Sequence, residues 1–442
     1  MKGLDARGRR RPVSSGAKGL DRLALLGGTP VFDAAPAPYP SIGPAEAEAV
    51  MSVVRSGSLS AFYGSPGDKY LGGPLVRAFE EAWSRRFGVE HTVSVNSATS
   101  GLTAAMGAIG VGPGDEVIVP PYTMSATAIA PLAYGAIPIF ADIEPETFCL
   151  DVGAVERALS PRTRAILAVN LFGHPARLRE LRALADSRGL FLVEDNAQGP
   201  LAMEDGRYAG TVGHLGVFSL NYHKHIHAGE GGMCVTNDDR LAQRLRMIRN
   251  HGENVVEAWE VDDISNMIGF NLRLTEMSAA VGLAQLEQAD RHVGAREALA
   301  GRLSRELAGL AGLTVPAVRQ GCRHVSYIWA ARLDARKLGV SRDLFGKALA
   351  AEGVPNSRGY VRPLYLLPAF QRRTALGREG FPFNLSQVKY ERGICPVTER
   401  MHFEELLGLE TCASDPTDDY AEKVVRAIRK VHENRAALAA SG

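Results

Sequence analysis

The chain has 442 residues, of which 45% are hydrophobic and 22% charged, a composition typical of a globular protein with about two or three domains. Its 50 basic and 49 acidic residues give a formal net charge of +1, so no overall electrostatic field favours nucleic acid or an anionic membrane as a partner. No apolar run approaches the roughly 18 residues of a membrane helix, and residues 1–21 lack the hydrophobic region of a signal peptide. The sequence therefore predicts a cytoplasmic protein.

The cysteine pattern agrees with that compartment. The five cysteines are scattered along the chain without any CxxC pair. Cys149 and Cys234 lie in apolar, strand-like runs, as buried free thiols commonly do. We expect reduced thiols in a reducing compartment.

The predicted elements begin after a basic, disordered tail over residues 1–21, for which a start codon assigned too early is the alternative explanation. From about residue 90, short apolar runs alternate with helical stretches, which is the pattern of a mostly parallel sheet covered by helices. Most of these runs are continuously apolar, as strands buried on both faces should be. They are T-V-S-V-N, E-V-I-V-P, I-P-I-F-A-D-I, A-I-L-A-V-N-L-F, L-F-L-V-E-D, L-G-V-F-S-L and G-M-C-V-T-N. Apolar residues at helical spacing predict helices over 97–109, 151–159, 176–187 and 238–250.

A long helical pattern over 275–310 is expected to bend or break, near Gly294, while it bridges to a second domain. The remainder holds one clear strand, V-S-Y-I-W-A-A-R-L, a helix over 342–352 and a C-terminal helix. The predicted fold class is α/β, with a mostly parallel central sheet covered by helices and a smaller C-terminal α+β domain. We place the large domain at residues 22–300 and the small domain at 301–442.

Unusual residues follow several of the predicted strands, at the sheet edge where ligands bind in such folds. The turn S-A-T-S-G-L enters a helix, and the backbone N–H groups of Ala98 and Thr99 are candidates for holding a phosphate, although a serine before a helix is usually only a cap. Glu194 and Asp195 end a buried strand, where ionised carboxylates need a positive or hydrogen-bonding partner. An aspartate that caps the next turn is an equally good explanation of Asp195 alone.

The run N-Y-H-K-H-I-H-A-G-E-G-G admits two interpretations. His223, His225 and His227 alternate along it, and imidazoles on one face of an extended strand are potential metal ligands. Lys224 lies among them, and a single loop lysine is usually a solvated charge. Pyridoxal 5'-phosphate is a ligand that would fit all of these features together. The anion cradle would hold its phosphate, the acid at a strand end would hold its pyridine nitrogen, and the lysine between a serine and a glycine-rich turn would hold its aldehyde.

At these motifs the chain resembles a known family, the sugar-aminotransferase group of fold-type I pyridoxal-phosphate enzymes called the DegT, DnrJ and StrS family. The likeness runs from L-G-G-T-P-V through V-N-S-A-T-S-G-L and F-A-D-I-E-P-E-T-F. It is sharpest in E-D-N-A-Q-G, F-S-L-N-Y-H-K-H-I-H-A-G-E-G-G and G-F-N-L-R-L-T-E. These segments occur in the family's order and spacing.

The resemblance implies a role for each matching position. Lys224 matches the Schiff-base lysine and Asp195 the residue paired with the pyridine N–H, and these two form the predicted catalytic set. The resemblance also implies homodimers with shared active sites, in which the G-x-N-x-R segment reaches the neighbour's phosphate. The residues expected to bind the cofactor are Ala98, Thr99, Met124, Asp195, Gln198, Ser219, Lys224, Asn271 and Arg273.

The same alignment assigns the histidines and the ring contact. The family's lysine follows its serine by five residues and precedes the glutamate of G-E-G-G by six, and both Ser219 and Glu230 put Lys224 at that place. The histidines are then expected to line the loop or a subunit contact, with no metal bound, because no carboxylate or thiolate cluster accompanies them. Met124 stands where relatives carry an aromatic residue stacked on the cofactor, and Tyr122 is the alternative if the register slips.

The activity implied is transamination of a keto-sugar, nucleotide-linked in most relatives, or of a keto-cyclitol, with L-glutamate or L-glutamine as amino donor. Two alternatives stay open at this point. One is a different pyridoxal-phosphate reaction in secondary metabolism, of the dehydratase or ring-forming type. The other is a non-catalytic regulator on the same fold, which the presence of both Lys224 and Asp195 disfavours.

Overall fold

The computed structural model describes residues 22–441, so the predicted disordered tail over residues 1–21 lies outside the described part. Each apolar run singled out between residues 92 and 237 contains a strand. The strands are β1 (His91–Val95), β2 (Glu116–Val119), β3 (Ile137–Phe140), β4 (Thr163–Val169), β5 (Phe191–Asp195), β6 (Met203–Glu204), β7 (Arg207–Tyr208), β8 (Leu215–Ser219), β9 (Gly232–Thr236), β10 (Leu313–Thr314), β11 (Cys322–Arg323), β12 (Ile328–Leu333), β13 (Ser357–Arg358) and β14 (Leu406–Glu410).

The helices occupy the stretches where apolar residues recur at helical spacing. They are α1 (Pro44–Ser56), α2 (Pro74–Phe87), α3 (Ala98–Ala108), α4 (Ala126–Leu132), α5 (Val152–Ala158), α6 (Leu178–Arg188), α7 (Asp239–Arg249), α8 (Glu276–Glu287), α9 (Ala289–Leu307), α10 (Ala335–Leu338), α11 (Arg342–Ala351), α12 (Pro368–Gln371), α13 (Pro396–Arg400), α14 (Asp418–Glu433) and α15 (Arg435–Ala439). Within residues 22–441, no helix combines the length and apolar character needed to cross a bilayer.

The central sheet has seven strands in the order β1-β9-β8-β5-β4-β2-β3. The five strands from β8 to β3 are parallel neighbours, and β9 runs antiparallel between β1 and β8. Because β4, β5 and β8 are adjacent and parallel, their carboxyl ends meet at one edge of the sheet. The register there pairs Asp195 with Val169 on one side and with Val217 on the other. The predicted α/β class with a mostly parallel sheet is confirmed.

Helix α3 places its N-terminus at this same edge. Ser97 has an extended backbone, and its hydroxyl oxygen accepts the N–H of Ser100 at 3.0 Å, which caps the helix. The helix packs tightly on the sheet through Gly101, where a Cβ would lie 2.8 Å from Val217 and 3.0 Å from Cys234. The small residues of S-A-T-S-G-L therefore bring the first turn of α3 close to the ends of the strands.

The long helix predicted over 275–310 does break, but at Gln288, between α8 and α9, so the predicted position near Gly294 is wrong. The amide of Gln288 donates to Glu46 at 2.8 Å, and that of Gln285 donates to the same carboxylate oxygen at 2.8 Å. A buried acceptor on α1 thus fixes the last turn of α8. Gly294 lies inside α9 with open space where its side chain would be, so nothing there requires a bend.

The C-terminal part contains an antiparallel sheet in the order β10-β12-β14-β13, packed against α9, α11 and α14. Its hydrophobic cluster, centred on Trp329 and Phe345, is separate from the larger cluster around the central sheet. Residues near the start of the described chain, Leu23 and Phe32, join this second cluster. The domain limits at residues 22–300 and 301–442 stay a prediction.

Candidate active site

A cavity of about 190 Å³ opens at the sheet edge where β4, β5 and β8 end and α3 begins. Most of the cofactor-binding residues predicted from the sequence line it. They are Ala98, Thr99, Met124, Asp195, Gln198, Ser219 and Lys224. Asn271 and Arg273 do not line it, and the structure places them on the segment before α8.

Lys224 lies in the loop between β8 and β9 and lines the cavity. Its Nζ lies 3.4 Å from the hydroxyl oxygen of Tyr327 and 4.4 Å from the centroid of that ring. Burial lowers the pKa of Lys224 to about 8, while the charge of Asp195 acts in the opposite direction. The amine is therefore partly neutral near neutral pH, which a nucleophile or a base requires.

Asp195 is the last residue of β5 and is 5% exposed. One carboxylate oxygen accepts the hydroxyl of Thr127 at 2.9 Å, and the other accepts the N–H of Ala197 at 3.1 Å. Burial raises the pKa of Asp195, whereas these two donors and the charge of Lys224 favour the ionised form. These two donors fix the orientation of the carboxylate, and its remaining lone pairs are available to a cationic N–H in the cavity.

Glu194 is directed away from the cavity, as alternation along a strand requires. Its carboxylate accepts the backbone N–H groups of Gly210, Val212 and Gly213 at 2.5, 2.8 and 2.6 Å. The amide of Asn170 donates to it at 3.2 Å. Glu194 therefore anchors the 210–213 turn and stabilises the sheet edge on which Asp195 sits.

The first turn of α3 and the end of β8 form a cradle of hydrogen-bond donors. Within residues 22–441, the N–H groups of Ala98 and Thr99 have no protein acceptor, as expected at the start of a helix. The hydroxyl of Ser219 lines the same cavity. Gly232, opposite Ser219 in the sheet, lets the backbones approach, since a Cβ there would lie 2.8 Å from the nitrogen of Ala98. Unpaired N–H groups at a helix N-terminus favour an anion such as phosphate.

Gln198 is held in place at the cavity wall. Its side-chain oxygen accepts the N–H of Phe172 at 2.7 Å, and its amide group donates to the hydroxyl of Tyr360 at 2.9 Å. Tyr360 also lines the cavity, and its N–H donates to the hydroxyl of the fully buried Tyr122 at 2.8 Å. The segment after β13 is thereby joined to the wall formed by the large sheet.

Met124 lines the cavity and is 52% exposed. Its sulfur accepts the N–H of Ala126 at 3.1 Å, so the side chain folds over the first turn of α4. Tyr122 is 0% exposed and absent from the cavity lining, because its ring packs between Tyr360 and His402. Of the two residues considered for the ring contact, only Met124 is placed to reach a ligand in the cavity, and the contact itself stays a prediction.

The three histidines around Lys224 contact different partners. His225 donates to the carbonyl of Val325 at 2.8 Å, and His227 lies 2.7 Å from the hydroxyl of Ser41. His223 is exposed at the cavity. Within residues 22–441, the one cluster of potential metal ligands closer than 4.8 Å is formed by Glu90, His91 and Asp239, which includes no residue of this run. The histidines fix the lysine loop to neighbouring segments.

Sequence reasoning missed four polar residues that shape the site. Thr127 orients Asp195, Tyr360 holds Gln198, and Tyr327 contacts Lys224. Asn221 lines the cavity, donates to Glu230 at 2.8 Å and has a buried side-chain oxygen without a partner among the described residues. Tyr327 and Tyr360 come from the C-terminal part, whose place over the cavity is set by tertiary packing. Only Thr127 carried a local signal, as a polar residue in an apolar helix.

These groups fit pyridoxal 5'-phosphate chemically. The cradle at Ala98, Thr99 and Ser219 suits a dianionic phosphate, and Asp195 suits a protonated pyridine nitrogen. Lys224 supplies an amine that can bond to the aldehyde. The side-chain oxygen of Asn221, which has no partner among the described residues, can accept a hydrogen bond from a ligand.

Comparisons with known proteins agree with this chemistry. The model of the DegT/DnrJ/EryC1/StrS aminotransferase family matches residues 64–407. The GDP-perosamine synthase of Caulobacter vibrioides is 37% identical over 299 residues, covering 67% of this chain and 79% of that protein. The L-glutamine:2-deoxy-scyllo-inosose aminotransferase of Streptomyces kanamyceticus is 34% identical over 444 residues, covering 95% of this chain and 99% of that protein.

A solved structure shares the whole architecture. The crystal structure of DesV from S. venezuelae, in complex with a ketimine intermediate, superposes with a TM-score of 0.74 at 32% identity. The match covers 88% of this chain and 94% of that one. The chain belongs to the DegT/DnrJ/EryC1/StrS aminotransferase family and is a pyridoxal-phosphate-dependent aminotransferase of fold type I.

Proposed function

We propose that this aminotransferase moves the amino group of L-glutamate or L-glutamine to a keto-sugar linked to a nucleotide, or to a keto-cyclitol. The observation that carries the proposal is the single cavity that unites the Lys224 amine, the Asp195 carboxylate and the donors at the start of α3. The named activities of the relatives support the acceptor class, since they include GDP-linked and dTDP-linked sugars and a scyllo-inosose. One of these names specifies L-glutamine as the donor.

Each residue of the cavity has a distinct role in holding the cofactor. The N–H groups of Ala98 and Thr99 and the hydroxyl of Ser219 bind the phosphate, where the α3 dipole adds to the attraction. Asp195 pairs with the pyridine N–H, and Lys224 forms the covalent bond. Gln198 would bind near the ring hydroxyl, while the Met124 sulfur would contact the ring.

The bound cofactor supplies an electron sink that makes loss of a proton from the donor Cα feasible. With the cofactor bound, the Lys224 amine would take up the proton released from the donor Cα and give it back within the same site. Its lowered pKa suits this work, because a group with a pKa of about 8 exists in both protonation states near neutral pH. Asp195, fixed by Thr127 and Ala197, keeps the pyridine nitrogen protonated and so preserves the sink.

We assign Asn271 and Arg273 to the active site of a partner subunit in a homodimer. Asn271 is exposed, and the guanidinium of Arg273 is held by the side-chain oxygen of Asn250 at 2.9 Å, outside the cavity of its own chain. The preceding segment exposes Ile268 by 71% and Phe270 by 40%, as expected of a surface that another subunit covers.

The proposed setting is the cytoplasm, in the biosynthesis of an amino sugar or a related secondary metabolite. All five cysteines are free, which suits a reducing compartment. The acceptor class follows from the relatives' names.

The test of the covalent role is borohydride trapping followed by peptide mass spectrometry. The native chain should carry the reduced cofactor on the peptide containing Lys224, and Lys224→Ala should carry none. The visible absorbance of the native enzyme should bleach on addition of L-glutamate or L-glutamine and return with a competent keto acceptor. An adduct on another lysine, or absorbance insensitive to every amino donor, would refute the assignment.

The shared site is tested by mixing two inactive variants, Lys224→Ala and Arg273→Ala. If Arg273 serves the partner's cavity, a mixed dimer contains one intact site, and activity returns to about one quarter of the native value after random reassembly. Arg273 acting within its own chain predicts no recovery. The mass of the particle in solution provides the control that mixed dimers form.

A further inference from the structure

The amine of Lys224 contacts the aromatic side chain of Tyr327, the residue directly before β12. Nζ lies 4.4 Å from the ring centroid and 3.4 Å from the hydroxyl oxygen. Tyr327 is 8% exposed, so water is largely excluded from this contact. The face of a phenol ring and the lone pairs of its oxygen both attract an ammonium group. Because burial raises the pKa of Tyr327, the phenol stays neutral in this contact.

Two residues that hold the backbone of Tyr327 have left-handed conformations. Ser326, directly before it, has φ 51, and Phe172, whose carbonyl accepts the Tyr327 N–H at 2.8 Å, has φ 57. Left-handed backbone is unfavourable for residues with side chains and persists only where the surroundings enforce it. The hydroxyl of Thr411 donates to the carbonyls of both Ser326 and Tyr327. The main chain on each side of Tyr327 is therefore held in place, and the ring with it.

The lysine loop is tied to this same segment. The ring of His225 lies 5.8 Å from that of Tyr327, and its Nε2 donates to the carbonyl of Val325 at 2.8 Å. The ring of His223 lies 6.3 Å from Tyr327 on the other side of Lys224 in the sequence. The loop and the phenol thus form one unit, and the position of the free amine depends on both.

We propose that Tyr327 is a positioning residue that receives the Lys224 amine whenever the amine is not bonded to the cofactor. This inference rests on the proposed covalent role of Lys224. In a transaminase the lysine is released in each half-reaction and has to stay near the atoms between which it moves a proton. A flexible four-carbon chain would otherwise sample many rotamers in a cavity open to solvent. The ring and the hydroxyl of Tyr327 restrict the amine to the position 4.4 Å from the ring centroid and 3.4 Å from the hydroxyl oxygen.

The test measures the pKa of Lys224 directly in the full-length chain prepared without cofactor. Competitive acetylation with trace acetic anhydride across a range of pH, read by peptide mass spectrometry, gives the fraction of neutral amine. The side chain of Lys389, which is 76% exposed, is the internal reference. Tyr327→Phe keeps the ring and removes only the hydroxyl acceptor. The pKa of Lys224 should fall by about 0.5 to 1 unit, because the ammonium form loses a hydrogen-bond acceptor.

Tyr360→Phe is the matched control. It removes a phenol hydroxyl from the cavity that Lys224 lines, but that hydroxyl accepts from Gln198, and the side-chain contact described for the Lys224 amine is with Tyr327. The pKa of Lys224 should therefore stay at its native value. Thermal unfolding of each variant reports stability separately, so a purely structural effect of Tyr327→Phe would lower the melting temperature without moving the labelling profile.

The outcomes separate this inference from the function on which it rests. An adduct trapped on Lys224 together with an unchanged or raised pKa in Tyr327→Phe would overturn the positioning role alone. A trapped adduct elsewhere would overturn the covalent role of Lys224 whatever the labelling shows. A lowered pKa in Tyr327→Phe, with Tyr360→Phe unchanged, supports the inference.

Discussion

Replacing Lys224 with methionine should stabilise the cofactor-free chain, although it abolishes the proposed chemistry. Burial lowers the pKa of Lys224 from 10.5 to about 8, and at roughly 1.36 kcal/mol per pKa unit this is a penalty of about 3 kcal/mol for keeping the charge in the folded state. That penalty already includes the opposing attraction to Asp195, so methionine removes it and loses in return only the contact with the Tyr327 ring, about 1 to 2 kcal/mol. The expected net gain at pH 7 is about 1 to 2 kcal/mol.

The gain should depend on pH in a definite direction. The folded pKa of Lys224 lies below the unfolded one, so between pH 8 and 10.5 the unfolded chain binds more protons than the folded chain. The penalty is therefore complete below pH 8 and fades as the pH rises through this window. The advantage of Lys224→Met should shrink by about 2 kcal/mol between pH 7 and pH 9.5.

Lys430 provides the opposite case. Its amine donates to the carboxylate of Glu352 at 2.9 Å and to the carbonyl of Thr29 at 2.7 Å, and the Glu352 side chain is 0% exposed. Lys430→Met leaves that buried carboxylate without its cation and should destabilise the chain by about 3 kcal/mol. Two lysine-to-methionine changes are thus expected to shift stability in opposite directions.

Urea unfolding followed by circular dichroism at pH 7 and pH 9.5 measures both effects. A chain of this length unfolds in more than one step, so midpoints of corresponding transitions are compared between variants. If Lys224→Met unfolds at lower urea than the native chain at pH 7, or keeps the same advantage at pH 9.5, the burial argument for Lys224 is refuted.

Three further changes test the rest of the site. Gly232→Ala should weaken cofactor binding at least about tenfold in a fluorescence titration, because the new Cβ would lie 2.8 Å from the nitrogen of Ala98. Unchanged binding would contradict phosphate binding at the start of α3. Asp195→Asn should cut the rate of the donor half-reaction about a thousandfold in stopped-flow absorbance while Lys224 is still trapped, and a native rate would contradict the ring-nitrogen pairing. Glu194→Ala should destabilise the chain by about 3 kcal/mol in urea, since it leaves several buried donors unpaired, and a neutral effect would show that water replaces the carboxylate.

Much of the central sheet was predictable because its signals are local. Continuous apolar runs marked the buried strands, and the helices predicted over 97–109 and 238–250 from apolar periodicity start within a residue of α3 and α7. The break between α8 and α9 was misplaced because it depends on a distant acceptor. Gln285 and Gln288 reach Glu46 on α1, and a glycine nearby gave a false signal.

The residues of the site also differ in whether local sequence signals could predict them. Asp195 and Ser219 end adjacent strands and Lys224 lies in the loop after β8, so strand order brings them together, and the resemblance at their motifs implies their roles. Tyr327 contacts Lys224 and Tyr360 contacts Gln198 across more than 100 residues of sequence, and nothing in the local sequence of either tyrosine indicates these contacts. Their contribution required knowledge of how the C-terminal part packs on the central sheet.

The loop that carries Lys224 begins and ends in paired strands, since Ser219 at the end of β8 lies opposite Gly232 at the start of β9. An inserted or deleted residue in this closed segment would displace the amine by up to about 3.8 Å, further than a proton-transfer geometry tolerates. Engineering or evolution of a new reaction on this scaffold must therefore proceed by exchanging side chains in the loop while its length is kept.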